Sequence, residues 1–246
     1  MFQKIFLLSL PLIILMMRPV PVAAMDELLI GNFSASAPGN NLPEGWTPLI
    51  FSKNKPLTRY ELVKDDGTTV IKAISEASAS GLIRKIKIDP EQYPIIKWKW
   101  KITNIYQKGD VTKKSGDDYP ARIYIAFEYN STKVGLFEKA KFAAIKLVYG
   151  EYPPIDAINY IWESKAPVGL IVSNPFTARV RMIVVESGKE NINTWRQEER
   201  NIYEDYIKAF GETPPMISGV AIMTDSDNTG ESAVSYYGDI VFESKQ

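Results

Sequence analysis

Histidine and cysteine are both missing from the 246 residues. Their absence excludes the Ser-His-Asp and Cys-His arrangements of nucleophilic catalysis. It also excludes the usual nitrogen and sulfur ligands of zinc, the common haem ligands and any disulfide. A site in this chain must be built from carboxylates, amides, hydroxyls, lysine, arginine and aromatic rings. Such a set suits calcium, which takes oxygen ligands. It also suits sugars, which need ring faces and polar edges, and glycoside hydrolysis by a pair of carboxylates. An excess of either charge is lacking too, with 29 Lys and Arg against 29 Asp and Glu. With no basic block in the chain, nucleic acid is not an expected partner.

Long apolar runs are confined to the start of the chain. Lys4 is followed by an apolar stretch, IFLLSLPLIILMM, over residues 5–17, interrupted by Pro11, and by PVPVAA at 19–24. A positive start, an apolar run of this length and small residues at the spacing signal peptidase reads predict a secretory signal cleaved before Met25. The run is shorter than the roughly 20 residues that span a bilayer, and Arg18 ends it. A lipid anchor would need a cysteine at the new N-terminus. The expected location is the periplasm or the outside of the cell, with no membrane span after cleavage. Loss of residues 1–24 leaves 222, carrying 27 basic and 29 acidic side chains. A chain of that size buries roughly 70% of its unfolded surface and holds a core without disulfides. Neither a repeat nor a linker divides residues 25–246, and one domain is expected.

Ten short apolar or alternating segments read as strands, at 28–33, 58–63, 69–74, 81–88, 95–102, 121–129, 157–162, 178–186, 219–224 and 233–242. Turn clusters such as Asp65-Asp66-Gly67 separate them. The pattern predicts a mainly β, jelly-roll-like sandwich. In KWKWKI, Trp98, Trp100 and Ile102 share one face while Lys97, Lys99 and Lys101 share the other. The tryptophans are expected inward. The lysine face is either paired with glutamates on a neighbouring strand, 121–129 being one candidate, or a surface for acidic sugars. Ile123, Ile125 and Phe127 are likewise expected inward. Two helices are expected to cover the sandwich. One starts at the capping box Thr194-Trp195-Arg196-Gln197, carries Trp195, Ile202, Tyr206 and Phe210 at helical spacing, and stops at Gly211. The other covers 137–148.

Acidic residues gather at Gly116-Asp117-Asp118 and at Asp225-Ser-Asp227-Asn228-Thr229-Gly230. Two carboxylates about 4 Å apart repel by roughly 4 kcal/mol at an effective dielectric near 20, so convergence would require a cation, a raised pKa or a basic neighbour. Arg122 is the local partner for Asp117 or Asp118. The D-x-D-x-T-G spacing resembles the opening of a calcium loop, with Asp225, Asp227 and Thr229 as candidate ligands. Its twelfth position is Tyr236 rather than glutamate, and its flanks read as strands. A hairpin turn whose Asp and Asn side chains bond their own backbone accounts for the same residues.

The strings MTDSDNTGESAVSYYGDIVF, GDDYPARIYIAF, KWKW, SASGLIRKI, LPEGW and WRQEERNIYEDYIKAFGETPP together resemble the bacterial domain-of-unknown-function family numbered 3047, over about 28–242. The resemblance implies an exported protein related to the galactose-binding-like jelly rolls, many of which bind carbohydrate. Asp117, Asp118, Arg122, Asp225, Asp227 and Asn228 match its motifs. Three functions follow. The leading one is a non-catalytic module binding a glycan or another cell-envelope ligand, with Trp46, Tyr119, Tyr124 and Tyr236 as candidate stacking rings. The second is an enzyme using a carboxylate pair from Asp117 or Asp118 and Asp225 or Asp227 on polysaccharide or envelope material. The third makes the acidic residues structural, in an envelope protein that acts by interaction.

Overall fold

The structure, a computed structural model, describes residues 26–52, 54–128 and 156–245. In chain order its strands are β1 (Glu27–Gly31), β2 (Thr47–Leu49), β3 (Arg59–Asp65), β4 (Thr68–Glu76), β5 (Ala79–Ile88), β6 (Ile95–Ile102), β7 (Arg122–Phe127), β8 (Ala157–Glu163), β9 (Ile171–Asn174), β10 (Thr177–Ser187), β11 (Arg196–Asn201), β12 (Ile217–Asp225) and β13 (Ser232–Glu243). One α-helix, α1 (Ile202–Phe210), lies between β11 and β12. All ten expected strands form, with their ends moved by no more than two residues.

The strands make two sheets of a jelly-roll-like β-sandwich. One sheet runs β11-β6-β13-β4-β3, with β1 beside the second half of the long β13. The other runs β2-β5-β12-β7-β8-β10-β9. Every pairing is antiparallel except β8 with β10. Local chemistry explains the tight β3–β4 hairpin. Asp66 and Gly67 both take positive φ, 48° and 79°, as a two-residue turn matched to strand twist requires.

Alternation sets the core. Trp98, Trp100 and Ile102 of β6 point inward as expected and are buried. They meet β8 from the opposite sheet: the Trp98 ring stacks on Tyr160 with centroids 5.3 Å apart, and Trp100 lies 6.1 Å from Trp162. Ile123, Ile125 and Phe127 join the same cluster from β7. A second, smaller cluster lies on the other side of the seven-stranded sheet, where Val111 and Tyr119 cover Ile161, Met182 and Val184.

Two expectations change. The helix does not begin at Thr194. Arg196–Asn201 pairs instead with β6, from Arg196 opposite Trp100 to Asn201 opposite Ile95. Backbone pairing along an open sheet edge outweighs a local capping signal, because an isolated nine-to-fifteen-residue helix is marginal without packing. The helix starts after Asn201, whose side chain accepts from the Glu204 N–H at 3.1 Å. It stops at Gly211 in the left-handed conformation, as expected (φ 78°). The second expected helix, 137–148, lies outside the described residues. The other change concerns the loop after β12. It is not a hairpin: β12 belongs to the seven-stranded sheet and β13 to the six-stranded one, so residues 226–231 cross between sheets at one end of the sandwich.

Candidate functional site

The two acidic loops meet at that end. Asp118 is buried and accepts from Asn228 Nδ2 at 3.0 Å and from the Thr229 N–H at 2.6 Å. Asp225, also buried, accepts the Tyr119 N–H at 3.2 Å and pairs with the Arg122 guanidinium. Asp117 accepts from both Asn174 Nδ2, at 2.9 and 2.8 Å, and the Tyr119 hydroxyl at 2.9 Å. Asp227 pairs with the ammonium group of Lys55. Glu231 and Lys108 extend the seam: the Glu231 carboxylate takes the N–H groups of Gln107 and Lys108, and Lys108 Nζ donates to the Thr229 carbonyl at 2.9 Å. Asp225 and Asn228 therefore bond the opposite loop rather than turning on their own backbone.

The partner of Arg122 differs from the sequence reading. Neighbours in sequence suggested Asp117 or Asp118, but β7 pairs with β12, and Arg122 sits opposite Met223. That register brings Asp225, two residues further along β12, to the guanidinium. The Tyr119 and Tyr124 rings flank the same guanidinium, 5.2 and 5.3 Å from its carbon. Burial pushes the Asp225 and Asp117 carboxyls upward, and the Arg122 charge opposes both shifts.

Asp118, Asp225 and Asp227 each bring a carboxylate oxygen within 4.8 Å of the others. Three carboxylates so close are the oxygen-rich set a hard cation takes. Here Arg122 and Lys55 supply positive charge within the protein, and both oxygens of Asp118 already accept N–H donors. Thr229, the third expected ligand, contributes its backbone N–H to Asp118.

The candidate stacking rings divide. Trp46 is buried against Phe33, 5.3 Å between centroids, and its indole donates to the Ile30 carbonyl. Tyr119 is buried in the second cluster, so neither ring is open to a sugar. Tyr124 is half-buried beside Arg122. Tyr236 is half-buried on the outer face of the six-stranded sheet, away from the acidic loops.

That outer face holds what sequence reasoning assembled only in part. Lys97, Lys99 and Lys101 line it from β6, but their neighbours are β11 and β13, because β7 lies in the other sheet. Lys97 pairs with Glu243 at 2.7 Å and Glu199 at 3.3 Å. Lys101 pairs with Asp65 at 2.6 Å and lies 4.6 Å from the Tyr236 ring centroid. Trp195, expected on a helix, stands just before β11, its ring 6.5 Å from Tyr236, with its N–H donated to Asp65 at 2.8 Å. From this half-exposed pair of rings, two grooves continue along the sheet. One of about 210 Å³ is lined by Lys99, Gln197, Asp239 and Val241. The next, about 630 Å³, is lined by Lys97, Glu199, Tyr203, Ile207 and Glu243. From Lys101 to Ile95 the track spans about 20 Å at the rise of a β-strand. The alternation of Arg196, Glu198 and Arg200 with Gln197 and Glu199 was the available signal for β11 and hence for this face.

A family model described as protein of unknown function (DUF3047) matches residues 44–241. The chain belongs to that family. A comparison with curated proteins returns no match. Among solved structures, a meso-active thermostable cellulase derived from the Cel12A cellulase of Rhodothermus marinus is 13% identical, with 89% of this chain and 100% of that one covered at a TM-score of 0.45. Endoglucanase 3 of Trichoderma harzianum, from glycoside hydrolase family 12, is 10% identical, with 92% and 99% covered at a TM-score of 0.41. At that similarity neither lends this DUF3047 member an activity. Among the described residues, no helix is long and apolar enough to cross a membrane.

Proposed function

We propose that this DUF3047 protein is an exported, non-catalytic module that binds a glycan along the outer face of its six-stranded sheet. The observation that carries this reading is the pair of half-exposed rings, Trp195 and Tyr236, on the same face as two adjacent grooves that share Lys97 and Glu243. Ring faces receive the C–H face of a sugar, and the amide of Gln197 with the carboxylates and lysines beyond it offers partners for hydroxyls. The signal at residues 5–24 supports export.

In this reading the acidic end is a structural clamp. Asp117, Asp118 and Asp225 are buried, and their oxygens are taken by donors from the opposite loop or strand. A general acid or nucleophile needs an oxygen within reach of substrate.

Titration calorimetry across neutral, acidic and amino-sugar polysaccharides tests the proposal. Binding to at least one class is expected, lost in Trp195→Ala and Tyr236→Ala and retained by folded Asp225→Asn. No heat with any class, or binding untouched by both ring substitutions, overturns it.

A further inference from the structure

The three lysines of β6 are equivalent in sequence and unequal in the fold. Lys97 is held by two glutamates and Lys101 by Asp65. Lys99, between them, forms no ion pair among the described residues. Its ammonium lies 5.2 Å from the Trp195 ring centroid, and its stem crosses Gly238 so closely that a Cβ there would collide with it. Gly238 thus leaves room for the stem to lie flat against β13. The charge is presented where the ring pair ends and the first groove begins, since Lys99 and its cross-strand neighbour Gln197 both line that groove. Of the three acids lining the same groove, Glu27, Asp239 and Glu243, Glu243 is paired with Lys97 and Asp239 is held by the Ser34 N–H at 2.9 Å and the Ser34 hydroxyl at 2.5 Å.

A half-buried cation beside a stacking ring, with no ion pair of its own and only the longer-range pull of the Asp65 carboxylate that Lys101 already holds, is complementary to a ligand that brings one negative charge next to a sugar face. We infer that the track selects uronate-containing glycans, with a sugar ring on Trp195 and Tyr236 and its carboxylate on Lys99. This rests on the glycan-binding reading above and adds to it the class of sugar. A single ammonium is a point charge suited to one monoanionic group rather than to a bidentate or multiply charged one. Lys97 and Lys101, being paired, contribute little further attraction.

Matched oligosaccharides separate this inference from its parent. Oligogalacturonate, oligoalginate and oligoglucuronate are each titrated beside their methyl esters, which keep the ring and remove the charge. At least one acid should bind ten-fold or more tightly than its ester at low ionic strength, with the advantage shrinking as salt rises. Lys99→Met, which keeps an apolar stem, should bring the acid down to the affinity of the ester, and Lys99→Arg should keep the preference. If ester and acid bind alike, or Lys99→Met leaves their ratio unchanged, the selectivity is refuted while glycan binding stands. A sulfated neutral glycan binding as tightly as the uronates would also refute it, since charge alone would then suffice. If neither acids, esters nor neutral chains bind, inference and parent both fall.

Discussion

Replacing Asp225 with asparagine keeps the shape of the side chain and an acceptor for the Tyr119 N–H, but strips the buried Arg122 of its counter-charge. Both partners are almost fully buried, so solvent offers the stranded guanidinium little compensation. Breaking such a pair from one side costs about 3–5 kcal/mol. The Asp117 carboxylate also acts on Arg122 and softens the loss, which points to the lower part of that range. For a chain of 150–250 residues, each kcal/mol lowers the melting temperature by about 2–4 °C, so Asp225→Asn should melt roughly 10 °C below the parent. The double variant Arg122→Met with Asp225→Asn removes the stranded charge as well, and should lose less than the two single variants added together. Urea unfolding of all four proteins, followed by circular dichroism, gives the cycle. If Asp225→Asn stays within 0.5 kcal/mol of the parent, or the single effects add without coupling, the clamp is not what holds the two loops together.

Glu198 gives the fold a pH dependence. Burial, helped by the nearby Glu186 carboxylate, pushes its carboxyl up from 4.5 to about 7 while the Trp100 N–H is donated to it at 3.2 Å. Because the folded value is the higher one, its contribution to stability is complete below about pH 4.5 and is lost as pH rises through 7. Glu198→Gln should therefore match the parent at pH 4.5 and exceed it above pH 7 by about 1–2 kcal/mol, after allowance for partial exposure; equal denaturant midpoints at pH 8 would contradict this. Calcium should leave the melting curve as chelator does, because Arg122 and Lys55 already face the carboxylates of Asp225 and Asp227. A calcium-dependent rise abolished by Asp227→Asn would instead put a cation where the Lys55 ammonium sits.

Faces were legible in the sequence, and neighbours were not. The alternation of KWKWKI assigns Trp98 and Trp100 inward because the side-chain period of a strand is two wherever the strand lies. Nothing in that period says which strand comes next. Proximity in sequence points Arg122 to acids five and four residues away, whereas its counter-ion comes from β12, over a hundred residues on. The same limit hid β11. Thr194-Trp195-Arg196-Gln197 satisfies the chemistry of a helix start, and only the free edge of β6 explains why the chain extends there instead.

That pairing decides the chemistry of the outer face. β11 brings Glu199 to Lys97, β13 brings Glu243 to the same lysine, and Asp65, at the end of β3, reaches Lys101. The position on β13 that approaches Lys99 is Gly238, which has no side chain to offer. From the sequence, three lysines on one face could be neutralised together or exposed together. Sheet order pairs two and leaves the middle one without an ion pair among the described residues, and a single unpaired charge against a ring is a more selective surface than a row of three.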